Sequence, residues 1–160
     1  MKNFSIPFLL FVLLFAGCTT TPKDFKLAFT MESIKNYKLF VEINSDKSYH
    51  IKQQNLLFDA HAEKAHVNAS DGTLSDEEFN ELTGLITGKW LFKMGNTYGI
   101  KKNIDSSQDP FDGLFYHLSY TEGSKAKYIL IHPTLSNDNP KKLSLLIKFF
   151  NDFSSKHLQN

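Results

Sequence analysis

From Phe25 onward the chain sets apolar residues at every second position, and that period confines it to strands with one buried face. Phe25, Leu27, Phe29 and Met31 alternate with Lys26, Ala28, Thr30 and Glu32. Tyr37, Leu39, Val41 and Ile43 alternate with Lys38, Phe40, Glu42 and Asn44. Asn44-Ser45-Asp46-Lys47 is turn chemistry, and Tyr49-His50-Ile51 starts a return, so 37–44 and 48–53 read as a hairpin. Residues 54–62 are ambiguous, with Leu56-Leu57-Phe58 either continuing the sheet or plugging its edge. Residues 63–69 read as a further strand, closed by the turn signal Asp71-Gly72. A second hairpin follows later. Leu114, Tyr116, Leu118 and Tyr120 alternate with Phe115, His117, Ser119 and Thr121, Glu122-Gly123-Ser124 turns the chain, and 126–132 returns. The return is apolar on both sides near its end, as a central strand would be.

Two runs break this period. Ser75 with Glu78 three residues on is a capping box, and Leu74 with Phe79 fits a hydrophobic staple. Phe79, Leu82, Leu85 and Ile86 make one stripe, Asp76 and Glu77 suit the first turn, and Gly88 is a stop, so 75–87 reads as a helix. Asn139-Pro140 reads as a cap with proline at the first helical position. Leu143, Leu146, Ile147, Phe150 and Phe153, widened by Phe149, give a final helix over about 140–156. Between the two lie Trp90, Phe92 and Met94, read as a short strand or extended plug, and a long polar loop from Gly95 to Asp112. Hairpins alternating with helices predict an α+β fold. It has an antiparallel sheet of roughly five to seven strands, with two amphipathic helices packed on one face. The stretches 37–87 and 113–156 share this order of elements without a residue-level repeat.

The first residues follow another logic. Met1-Lys2-Asn3 is a short positive start, and 6–16 is apolar apart from Pro7. That run has the length of a signal segment and falls short of the ~20 apolar residues of a membrane span. It ends in Phe15-Ala16-Gly17-Cys18, which resembles the lipobox of bacterial lipoproteins, with Phe15 where leucine is usual. The resemblance covers the first 18 residues. It implies a signal peptide over 1–17, and a Cys18 that is diacylated on sulfur, becomes the mature N-terminus and is acylated on its amine. Two or more acyl chains anchor stably where one does not. They also account for an odd cysteine in an exported chain. Residues 18–24 then form a lipidated cysteine and short tether, and 25–160 a single domain. Thr19-Thr20-Thr21 is no acidic export cluster, and no aspartate follows Cys18. By that resemblance the protein is lipid-anchored in the cell envelope, at the outer membrane facing the periplasm.

Removing 17 of 160 residues leaves 143, enough for one core without disulfides, and Cys18 leaves none to form. Lys2 is the signal's only charge, so the 18 basic and 17 acidic residues become balanced in the mature chain. Every basic residue is lysine. Without arginine's planar fork, and with no net charge, the chain does not read as a nucleic-acid reader.

No chemical motif stands out. There is no Gly-x-Ser-x-Gly elbow, and Cys18 is taken by lipid. His50, His61, His66, His117 and His132 show no metal-ligand spacing, although His50 and His66 could meet on neighbouring strands. Asp105, Asp109 and Asp112 lack the pattern of a calcium loop. No metal or cofactor is implied. The distinctive feature is a gathering of aromatics around the long loop and second hairpin. Tyrosine is enriched at interfaces, so Tyr98, Phe111, Tyr116 and Tyr120 are the candidate binding residues. These readings converge on a non-catalytic, membrane-anchored module for an envelope protein or glycan partner. The alternatives are an envelope hydrolase with a histidine–acid site, and a carrier of a small apolar ligand.

Overall fold

The computed structural model describes residues 22–33, 37–55, 66–99, 114–132 and 139–159. In chain order the elements are β1 (Phe25–Ser33), β2 (Tyr37–Asn44), β3 (Ser48–Asn55), β4 (His66–Thr73), α1 (Asp76–Ile86), α2 (Trp90–Lys93), β5 (Thr97–Tyr98), β6 (Leu114–Glu122), β7 (Lys125–Ile131) and α3 (Lys141–Leu158). The class is α+β. The strands form one seven-stranded sheet in the order β4-β3-β2-β1-β6-β7-β5. All pairings are antiparallel except the last, where the two-residue β5 runs parallel to β7.

β1 is the centre of the sheet and joins the two hairpins. Its Leu27 lies between Ile43 and Tyr120, and its Phe29 between Val41 and Leu118. The same parity carries on to Tyr49 and Ile51 of β3 and to Ile129 of β7. Period-two sequence thus becomes a continuous apolar row, and these residues are buried. The Phe29 ring stacks on Phe150 of α3, centroids 4.7 Å apart and 5° from parallel. Tyr49 meets Phe153 edge-on at 5.1 Å, and Phe25 stacks on Phe79 of α1 at 6.1 Å. Such ring pairs each contribute about 0.5–1.5 kcal/mol beyond area burial.

The capping box of α1 is formed. Glu78 N–H donates to Ser75 Oγ (3.2 Å), and Ser75 N–H donates to Glu78 Oε2 (2.9 Å). The helical stripe of α3, from Leu143 to Phe153 and including Phe149, is buried.

Four local expectations need correction. Residues 90–93 are a short helix, not an extended plug. Gly88 (φ 97°) and Lys89 (φ 59°) are both left-handed and reverse the chain. The Trp90 indole then donates to the Leu85 carbonyl at 2.8 Å. Asp71-Gly72 is not a turn, because β4 runs through it to Thr73. Gly72 lies under the Tyr49 ring, where a Cβ would sit 2.7 Å from Tyr49 Oη. That close approach, not a turn, explains the glycine. Asn139 does not cap α3. The cap position is Pro140, with no side-chain bond, and Asn139 Oδ1 is buried without a hydrogen-bond partner among the described residues. Finally, the long loop begins with β5, and β7 is one strand from the sheet edge. β5 flanks β7 only at Leu130 and Ile131, the end that reads as doubly apolar. Residues 56–58, read as continuing the sheet or plugging its edge, lie outside the described residues.

Candidate functional site

The side of the sheet away from the apolar row carries the alternate residues. Its centre is built from small ones. Ala28 of β1 stands opposite Ser119 of β6, and Thr30 opposite His117. Large residues flank them, with Phe40 of β2 opposite Thr30 and Tyr128 of β7 opposite Ser119. Phe40 and Tyr128 belong to strands three positions apart, about 14 Å at ordinary strand spacing. Small floor and large flanks make an open trough of about 370 Å³, which Leu130 and Asn96 also line. Tyr128 is 67% exposed, the most exposed of the described large apolar side chains.

Several charges on this face pair with one another. Lys26 pairs with Glu42 at 2.8 Å, and Glu32 receives both Lys38 (3.3 Å) and His117 (3.0 Å). His50 Nδ1 lies 2.6 Å from Asp71 Oδ1, so His50 meets an acid and not His66. These pairs are partly exposed, and each contributes roughly 0–1 kcal/mol. They leave the trough as the least polar part of the face.

The histidines do not assemble a reaction centre among the described residues. His117 holds Glu32, but neither Thr30 nor Ser119 bonds its ring. His132 is buried with its ring 4.0 Å from Phe115. Burial, aided by the nearby His117, holds its pKa below the ordinary histidine value, which suits a neutral packed ring. No cluster of three potential metal ligands occurs among the described residues. His61, Asp105, Asp109 and Asp112 lie outside those residues, as does the His66 side chain.

A second polar cluster joins the helices. His157 of α3 is bonded through Nδ1 to Tyr49 Oη (3.0 Å) and through Nε2 to Glu78 Oε1 (3.0 Å). Lys156 Nζ donates to the same Glu78 oxygen at 2.7 Å. Burial alone would raise the Glu78 pKa. The bonds from Lys156, His157 and Ser75 outweigh it and hold the carboxyl at about 2. This carboxylate both caps α1 and clamps the end of α3, a structural role.

The four aromatic candidates are not brought together on the open face. Tyr120 is 2% exposed, packs against Phe92 (5.3 Å) and donates its hydroxyl to Glu122 (3.2 Å). Burial, with Glu122 adding to it, raises its phenol pKa. Tyr116 shares the apolar row and lies 5.5 Å from Phe29. Tyr98 is half-buried, and its hydroxyl accepts the Gly95 N–H at 3.1 Å. Phe111 and Cys18 lie outside the described residues. Tyr120 is therefore a core residue and Tyr116 packs half-buried against the core, whereas the open face carries the half-buried Phe40 and the exposed Tyr128. Parity could have found them, because Tyr116 and Tyr120 alternate in phase with Leu118, and Tyr128 out of phase with Ile129 and Ile131.

No protein-family model matches the chain, and no curated protein matches it significantly. Among the described residues no helix is long and apolar enough to cross a membrane.

Proposed function

We propose that this is a lipid-anchored cell-envelope protein, held through acyl chains on Cys18 at the outer membrane. Its domain binds another protein without catalysing a reaction. In this reading both amphipathic helices cover the apolar face of the sheet, which the Phe25–Phe79 and Phe29–Phe150 contacts support. The other face is then the working surface. One observation carries the reading, namely the trough between Phe40 and the exposed Tyr128 over a floor of Ala28, Thr30 and Ser119. Aromatic walls with small residues between them suit an inserted side chain or extended segment, and tyrosine is a common anchor of such contacts. The ion pairs around the trough already satisfy one another, so a partner need not desolvate unpaired charge there.

The test is retention of an envelope protein from a detergent extract by the immobilised full chain. Saturable binding that falls about tenfold or more on Tyr128→Ala and on Phe40→Ala supports the reading. Binding that ignores both substitutions rejects the trough as the site.

A further inference from the structure

The two edges of the sheet are treated differently. At one edge β5 is two residues long, and Lys127 of the adjacent β7 folds its ammonium onto the Met94 carbonyl and Asn96 Oδ1. A short strand and an inward-folded lysine are standard means of blunting an edge. The other edge, β4, is eight residues long and contains neither lysine nor proline. Val67, Asn68, Ala69, Asp71, Gly72 and Thr73 are all exposed, with Val67 at 47%. β4 pairs only with β3 among the described residues. No described residue bonds its outward N–H and C=O groups, the groups that another strand would use.

We infer that β4 pairs antiparallel with β4 of a second copy of this chain, centred on Ser70. The side chains themselves select that occupant and register. Antiparallel pairing of identical strands requires a two-fold axis normal to the sheet, and it sets residues of equal parity opposite one another. Centring on Asp71 would oppose two like charges. Centring on Ala69 would set Asp71 against the apolar Val67. Centring on Ser70 sets Asp71 of one copy opposite Ala69 of the other. Ala69 is flanked on its far side by Lys52, its partner on β3. Lys52 is exposed and forms no ion pair among the described residues. Over the small Ala69 side chain it faces Asp71 of the second copy across two strand spacings, about 10 Å between Cα atoms. The Asp71 side chain, 73% exposed, swings from His50 (2.6 Å) toward that lysine, and a lysine and an aspartate so extended span the distance. The two-fold makes the contact twice. On the other face Asn68 meets Gly72 and the Tyr49 ring that lies over it.

The axis also keeps both outer faces on the same side. Two seven-stranded sheets become one, and two troughs face one direction. A partner with two matching segments would gain by avidity.

The experiment is sedimentation of the full chain in detergent from micromolar to hundreds of micromolar. The seam is smaller than a standard interface, so a dissociation constant in the micromolar range is expected. Lys52→Glu or Asp71→Lys alone should weaken association about tenfold or more, and the two together should restore it to within about threefold. Both positions are exposed, so circular dichroism should show every variant folded. In a Cys18→Ser background, Ser70→Cys supplies the only thiol. Ser70 bonds inward to β3, so across the two-fold it forms a non-hydrogen-bonded pair, whose Cβ atoms at the close end of the cross-strand range, about 4.5 Å, should oxidise to a covalent dimer. A chain that stays monomeric throughout overturns the inference. So does a dimer that ignores the charge swap or fails to cross-link at residue 70.

Discussion

Replacing Glu78 by glutamine keeps the side chain's shape and removes its charge. In the folded protein that charge accepts hydrogen bonds from Lys156, His157 and Ser75, and it holds the start of α1 against the end of α3. The side chain is only 14% exposed. Its pKa falls from an ordinary 4.5 to about 2, which corresponds to roughly 3 kcal/mol at neutral pH. Lys156 is 62% exposed, so solvent screens part of this, and about 2 kcal/mol is the working figure. The folded pKa lies below the unfolded one. The stabilisation is therefore complete above pH 4.5 and is lost as pH falls toward 2. Thermal and urea unfolding of the full chain should show Glu78→Gln melting about 6 °C lower at pH 7. At pH 3 less than about half of the difference should remain. Equal stability at pH 7, or a difference that does not shrink in acid, would refute the clamp.

Three further outcomes follow from single contacts. Gly99→Ala should unpair β5 from β7, because Gly99 has φ 78° and a Cβ there would run into the His132 carbonyl; hydrogen exchange at Leu130 and His132, whose amides bond Asn96 and Tyr98, reports it. Phe150→Ala empties a fully buried site stacked on Phe29 and should cost about 3–5 kcal/mol in urea unfolding. Cys18→Ser should move the protein from the membrane fraction to the soluble one, and a variant still in the membrane would remove the basis for lipid anchoring.

Much of the fold is legible residue by residue because its causes are local. The alternation at Phe25–Ser33 and Tyr37–Asn44, the Ser75–Glu78 capping box and the stripe from Leu143 to Phe153 all act within one or two turns of chain. What failed locally failed for a stated reason. Asp71-Gly72 has turn composition, but Tyr49 from another strand needs the space above Gly72. The Trp90 segment alternates like a strand, but two left-handed residues and a bond to Leu85 coil it. The candidate site was the least legible part. Aromatic crowding around the second hairpin drew attention to Tyr116 and Tyr120, whose phase with Leu118 turns them to the core side of the sheet.

Sequence alone thus determined most of the strands, the two main helices, which residues of each are apolar, and the lipobox-like start that sets expectations for Cys18. Only the tertiary structure decided the strand order. That order makes β1 the central strand, puts β4 at one end of the order among the described residues and sets Phe40 three strands from Tyr128. Periodicity fixes which side of its own strand a residue takes. Which strands become neighbours depends on long-range burial, and a trough or an edge exists only once that choice is made.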